Sequence, residues 1–179
     1  MPYAQPASNE TPSVVEDEQA LVRQAIVEQR AGRKNEAFAT LYYTHVDRVY
    51  GYLLARVANI PDAQDLTAQT FLVALQKISQ YRGEGSFGAW LLGIARHKVI
   101  DHYRQKRIMI SLDYVDEVIH NSPSLDELIG RQLRIERVVL ALQAIAPERA
   151  EALILNIFGG LKLAEVGQVM GKSESAAKM

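Results

Sequence analysis

At 179 residues the chain has room for one domain or two small ones, and 48% hydrophobic residues suffice to bury real cores. It contains no cysteine, which excludes disulfides, thiol redox chemistry and cysteine-bound zinc. A net charge of −1 argues against a nucleic-acid partner only if the charge is spread evenly, and it is not. Between Lys77 and Arg107 seven basic residues meet two acidic ones, a balance of +5. From Ile108 to Gly130 five acidic residues and no Lys or Arg give −5. Blocks of this kind set local fields that the total conceals. No apolar run is long enough to span a bilayer, and the acidic start (Glu10, Glu16, Asp17, Glu18) is not a signal peptide, so a soluble, cytoplasmic protein is expected.

In chain order, residues 1–15 are rich in Pro, Ser and Asn and read as a disordered tail. A first helix is expected from about Val14 to Ala31, stopping near Gly32. Asn35 is a candidate N-cap for a second helix, whose Phe38, Leu41, Tyr42, Val46, Val49 and Leu53 fall on one face. Asn59-Ile-Pro-Asp62 reads as a turn with Asp62 as the cap of a third helix that buries Leu66, Phe71, Leu72, Leu75 and Ile78. The Gly83-Glu-Gly85 loop leads to a helix from about Ser86 to Arg107.

Periodicity then lapses, and residues 108–123 read as an acidic linker. Ser124-Leu-Asp-Glu127 is a capping box opening a long helix to about Ile145. Pro147 suits the first position of the next helix, which Gly159-Gly160 ends. Two short helices follow, Leu163 to Met170 and Ser173 onward, joined at Gly171. No strand alternation and no internal repeat occur. The expected fold is all-α, in two compact helical domains joined by the acidic linker.

Three segments carry chemistry. Asp62-Ala-Gln-Asp-Leu-Thr-Ala-Gln-Thr-Phe71 is a helix with an acidic and amide face. In the Tyr81–Arg107 segment aromatics interleave with cations: Tyr81, Phe87 and Trp90 can stack on unpaired bases, while Arg82, Arg96, Lys98 and Arg104 can hold phosphates. Gly83 and Gly85 let the backbone approach a flipped base. Phe87, Trp90, Leu91, Ile94 and Val99 also recur at helical spacing, so most of them suit a core equally well, and Trp90 fits either role. The last segment has a helix-turn-helix pattern, in which Ala164, Val166 and Val169 pack the first helix and the second enters a major groove. Its polar contacts are Lys172, Ser173, Ser175 and Lys178, and the chain stops inside this recognition helix.

Enzyme readings find little support. The only histidines are His45, His97, His102 and His120, and no His-Glu-x-x-His pattern is present. There is no phosphate-binding loop and no nucleophile elbow. The acidic clusters at Glu16-Asp-Glu18 and around Asp113, Asp116 and Glu117 suit a solvated surface. The expectation is a non-enzyme without cofactor or metal.

These motifs resemble the extracytoplasmic-function, or group IV, sigma factors of bacterial RNA polymerase. The Asp62–Leu72 run is similar to the part of their region two that binds core polymerase. Tyr81-Arg-Gly-Glu-Gly-Ser-Phe-Gly-Ala-Trp90 and the helix after it are similar to the part that melts the promoter and reads its minus-ten element. Ala146-Pro-Glu-Arg149 and Phe158-Gly-Gly-Leu-Lys-Leu-Ala-Glu-Val166 resemble region four, which reads the minus-thirty-five element. The likeness covers roughly Val22 to the C-terminus, with the three motifs in order.

The resemblance implies roles for particular residues. Asp62, Asp65, Gln69 and Thr70 match positions facing the clamp helices of the largest polymerase subunit. Ser86, Phe87 and Trp90 match the melting segment, and Tyr81 and Arg82 open it. Arg96, His97, Asp101 and Arg104 match the helix on the upstream edge of the minus-ten element. The acidic linker matches a segment that threads toward the active-site cleft. The implied partners are core RNA polymerase, promoter DNA and an anti-sigma factor. The chain departs from the pattern at Gln64, where Glu is frequent, at Gly88 and Gly93, where polar side chains are common, and at Lys162, where Ser or Thr is usual. The rival class is a helix-turn-helix regulator that binds duplex DNA alone; it calls for a complete recognition helix and no polymerase-facing surface.

Overall fold

The structure, a computed structural model, describes residues 14–112, 141–142 and 144–173. The expected tail, most of the linker, the capping box at Ser124 with nearly all of its helix, and the recognition helix beyond Ser173 lie outside the described residues. Among the described residues six α-helices have defined bounds: α1 (Val14–Arg30), α2 (Glu36–Val57), α3 (Ile60–Lys77), α4 (Phe87–Leu112), α5 (Pro147–Ile157) and α6 (Leu163–Met170). A 3-10 turn, Ile78–Gln80, extends α3. There is no strand among the described residues, and the all-α expectation holds.

Helix ends follow local chemistry, with three differences from expectation. Asn35 sits at the N-cap of α2, but its side chain caps nothing and its Oδ1 is buried without a partner. Glu28 of α1 does the capping instead, accepting from the Ala37 N–H at 3.1 Å. At α3 the cap is Asn59, whose Oδ1 accepts from the Asp62 N–H at 2.9 Å, so Asp62 lies in the first turn. An acidic side chain there still complements the helix dipole. Finally, α4 runs to Leu112, five residues beyond Arg107, because no Gly or Pro interrupts that stretch. Gly32 and Gly171 take positive φ (61° and 67°) and end their helices as expected.

One hydrophobic cluster joins the helices on both sides of the 113–140 stretch. Leu41, Tyr52 and Leu53 of α2 meet Leu66 and Phe71 of α3 and Phe87, Leu91, Leu92 and Val99 of α4. Ile154 and Leu155 of α5, Leu161, and Val166 of α6 belong to the same cluster. Each such side chain contributes about 1.5–3 kcal/mol when fully buried. α5 therefore lies on α2, and α6 on α4. Two expected core residues face solvent. Leu72 is 57% exposed, because it stands one helical step beyond Phe71 and turns off the buried face. Ala164 is exposed as well, while Val166 carries the packing of α6.

Candidate nucleic-acid interface

The acidic edge of α3 is presented to solvent. Asp65 is exposed and accepts from Gln69 Nε2 at 2.7 Å, one helical turn on. Asp62 is held by Lys106 Nζ at 2.9 Å and stands 3.4 Å from His102 Nε2, both on α4. Thr70, expected on this face, is fully buried and its hydroxyl donates to the Leu66 carbonyl at 2.7 Å. It therefore stands off the exposed edge of α3. The exposed Leu72 adds an apolar contact to the edge.

The loop before α4 is built on Gly83 and Gly85, with φ of +76° and +82°. Side chains rarely adopt this conformation, so glycine stands at both turns. The Tyr81 hydroxyl closes the loop by donating to the Gly85 carbonyl at 2.7 Å. Burial first, and the charge of Glu18 second, push the Tyr81 phenol upward, which keeps it a neutral donor. Ser86 Oγ accepts from the Ala89 N–H at 3.2 Å and caps α4.

Tyr81, Phe87 and Trp90 form a triangle of rings with centroids 5.4–5.7 Å apart. Phe87, expected at the DNA surface, is 1% exposed, and its ring supports the other two from within the core. Tyr81 and Trp90 are half-buried and keep a free edge.

Beside Trp90 runs an open trough of about 700 Å³. Lys77 of α3 and Trp90, Gly93, His97, Lys98 and Asp101 of α4 line it, and Gln168 and Val169 of α6 form its far wall. A Cβ at Gly93 would meet nothing within 4 Å, so this position leaves the trough open. The trough thus gathers Trp90, His97 and Asp101 from the expected set. Arg82 and Arg104 are exposed but do not line it. His97 is oriented by a 2.7 Å bond between Nδ1 and the Gly93 carbonyl. Arg96 is directed elsewhere, with Nε 3.7 Å from Glu151 of α5. Ser86 is also engaged, its hydroxyl donating to Glu165 of α6. Glu165 in turn accepts from the Lys162 N–H at 2.9 Å, which makes half of a capping box; the Lys162 ammonium has no lone pair to complete it.

Beyond Gly171, Lys172 pairs with Glu148 and holds that carboxyl below its ordinary range. Ser173 follows at the end of the described chain, whereas Ser175 and Lys178 lie outside the described residues. Among the described residues no three His, Asp or Glu side chains are placed to share a metal ion, and no helix is long and apolar enough to cross a membrane.

Sequence reasoning did not single out Tyr52, Arg56, Glu151 or Glu165. One signal was present: Glu151 is in phase with Ile154 and Leu155, so an acidic residue interrupts the apolar face of α5.

Among the described residues the site is built of helices alone, with an acidic edge beside an aromatic and cationic trough. The Sigma-70 region 2 family matches residues 41–108. The chain is 34% identical over 137 residues to the ECF RNA polymerase sigma factor SigF of Caulobacter vibrioides, covering 74% of this chain and 72% of that one. It is 34% identical over 156 residues to the ECF RNA polymerase sigma factor BldN of Streptomyces coelicolor, covering 86% of this chain but only 59% of that longer relative. In fold it is similar to the sigma factor RpoE in the complex with the anti-sigma factor NepR from Bartonella quintana, with a TM-score of 0.60, 19% identity, and 79% and 87% of the two chains covered. The chain belongs to the extracytoplasmic-function sigma factors of RNA polymerase.

Proposed function

We propose that this chain acts as a dissociable initiation factor, directing core RNA polymerase to promoters and assisting DNA melting in the cytoplasm, without itself catalysing a reaction. Residues 16–107 serve as region two, 108–123 as the linker, although α4 continues into it, and 124–179 as region four. The exposed edge of α3, with Asp62, Asp65, Gln69 and Leu72, docks on the polymerase. Docking presents the Trp90 trough to promoter DNA.

The observation that carries this reading is the trough itself. A half-buried indole beside Lys77, His97 and Lys98 offers a stacking face and cationic donors in a volume that admits an unpaired base. Because such a base is available only in melted DNA, binding it shifts the duplex toward the open state. Arg82 and Arg104 flank this surface as phosphate contacts, and Lys172, Ser173, Ser175 and Lys178 serve duplex contacts in region four. An anti-sigma factor is the expected negative regulator, as in the complex formed by RpoE and NepR.

The test is direct binding of the chain to core RNA polymerase. Wild type binds, and Asp65→Lys binds at least tenfold more weakly with its helical content unchanged. Failure of the wild-type chain to bind core polymerase sinks the proposal.

A further inference from the structure

Glu151 is an unusual residue for its position. Its side chain is 8% exposed, yet it carries a charge into the interface between α5 and α2. A buried carboxylate persists only where donors replace its lost water. α2 supplies the Tyr52 hydroxyl at 2.7 Å and Arg56 Nη1 at 3.0 Å, and Arg96 Nε of α4 adds a second positive charge at 3.7 Å, at ion-pair rather than hydrogen-bond distance. Two guanidinium groups and a phenol therefore converge on one anion. The slot also holds an unsatisfied donor, since Arg56 Nε is buried without an acceptor.

We propose that Tyr52, Arg56 and Arg96 form a binding site for a DNA backbone phosphate, which Glu151 fills as an internal stand-in while α5 rests on α2. This rests on the reading of α4 as a DNA-binding helix. A phosphodiester and a carboxylate each place one negative charge on two terminal oxygens, so the slot accepts either with the same charge balance. Guanidinium forks suit both. Arg96 lies on the same helix as Trp90 but is directed away from the trough, so a strand whose base enters the trough reaches the slot only by wrapping its backbone around α4. The carboxylate and the phosphate compete for the same donors. α6 meanwhile walls the trough and bonds Ser86 through Glu165. The closed arrangement is therefore a self-masked form, and strand binding displaces α5.

The absence of cysteine permits a direct test. Tyr43→Cys and Ile157→Cys, at positions 77% and 65% exposed, accept a donor–acceptor dye pair that reports the separation of α2 and α5. In the otherwise unaltered chain, saturating oligothymidylate is expected to lengthen that separation. Glu151→Gln, which keeps shape and removes charge, is expected to lengthen it without DNA and to raise oligothymidylate affinity by roughly tenfold. Adding Arg56→Gln to Glu151→Gln is expected to reverse the gain and lower the salt slope by about 0.7, the value for one phosphate on a single strand. An unaltered chain that saturates with no change in separation overturns the proposal. So does a Glu151→Gln chain with wild-type affinity, or an Arg56→Gln change without effect on it. Core-polymerase binding, measured on the same proteins, separates the two levels: if it persists while the slot results are negative, the phosphate site fails alone and the sigma-factor reading stands.

Discussion

Glu151 of α5 and Tyr52 of α2 stand 99 residues apart in the chain and share a 2.7 Å hydrogen bond inside the protein. The bond determines the state of both groups. Burial first, and then the negative charge of Glu151, push the Tyr52 phenol far above its ordinary range, so it remains a donor at every pH the fold survives. Arg56 supplies the counter-charge at 3.0 Å. A buried pair of this kind adds little net stability over an apolar contact of the same shape, but it is costly to half-remove. Its contribution is to register: α5 can rest on α2 only where its carboxylate meets these donors.

Tyr52→Phe removes one donor and leaves the ring in place. The loss is expected to be about 1–2 kcal/mol, in the range for a hydrogen bond to a charged acceptor. Urea unfolding should register it as a lower midpoint with an unchanged slope. A midpoint equal to wild type would mean that the bond is not made in solution.

Close packing supplies a second constraint. A Cβ at Gly159 would stand 2.7 Å from Leu92 Cδ1 and would also collide with the Leu155 carbonyl, so the chain after α5 approaches α4 only because the side chain is absent. Gly159→Ala is expected to destabilise the protein by about 1–3 kcal/mol, the range for overpacking. By contrast, Gly93→Ala meets open space inside α4 and should raise the unfolding midpoint, by about 0.5–1 kcal/mol of stability, through the better helix propensity of Ala.

Much of this architecture is legible from the chain because its signals are local. Helix periods, the Gly83-Glu-Gly85 turn, Pro147 at a first helical position and Gly171 at a bend each depend on a few neighbouring residues. Several of the departures depend on contacts between segments apart in the chain. Glu28 replaced Asn35 as a capping group from nine positions away. Thr70 and Phe87 carry family-like types at surface motifs, but neighbouring helices enclose both. The Tyr52, Arg56, Arg96 and Glu151 cluster brings three helices together. Only the phase of Glu151 on α5 hints at it in one dimension.

A pH dependence follows from the pair between Glu18 of α1 and His45 of α2, at 2.7 Å. The hydrogen bond to His45 lowers the Glu18 carboxyl from its ordinary 4.5, against the opposing effect of burial. A depressed carboxyl stabilises the fold above its unfolded value and loses that contribution as pH falls through the folded one. Stability should therefore decline below about pH 4.5, and Glu18→Gln should flatten that decline while lowering stability at neutral pH. Thermal unfolding between pH 3 and 7, wild type against variant, measures the difference on the order of the linkage expected. Parallel curves would sink the assignment.

Phe87 and Trp90 offer the sharpest separation of fold from function. Both are aromatic, both lie in the first turn of α4, and their rings are 5.4 Å apart. Phe87 is enclosed on every side, whereas Trp90 keeps an edge on the trough. Phe87→Ala should cost about 3–5 kcal/mol of stability through the cavity it leaves. Phe87→Leu, which refills much of that cavity with an apolar side chain, should recover most of the loss and bind oligothymidylate as wild type does, because the buried ring does not reach the surface. Trp90→Ala should be milder in stability, because part of its surface is already wet. Its single-strand affinity should nevertheless fall about tenfold, the lower part of the range for losing one stacked base. Trp90→Phe retains a stacking face and should restore most of that affinity. Fluorescence anisotropy with oligothymidylate and urea titration on the same four variants place each residue on one axis. If Trp90→Ala loses stability and affinity in proportion, and Trp90→Phe restores neither, the indole belongs to the core and the trough is not where the base is held.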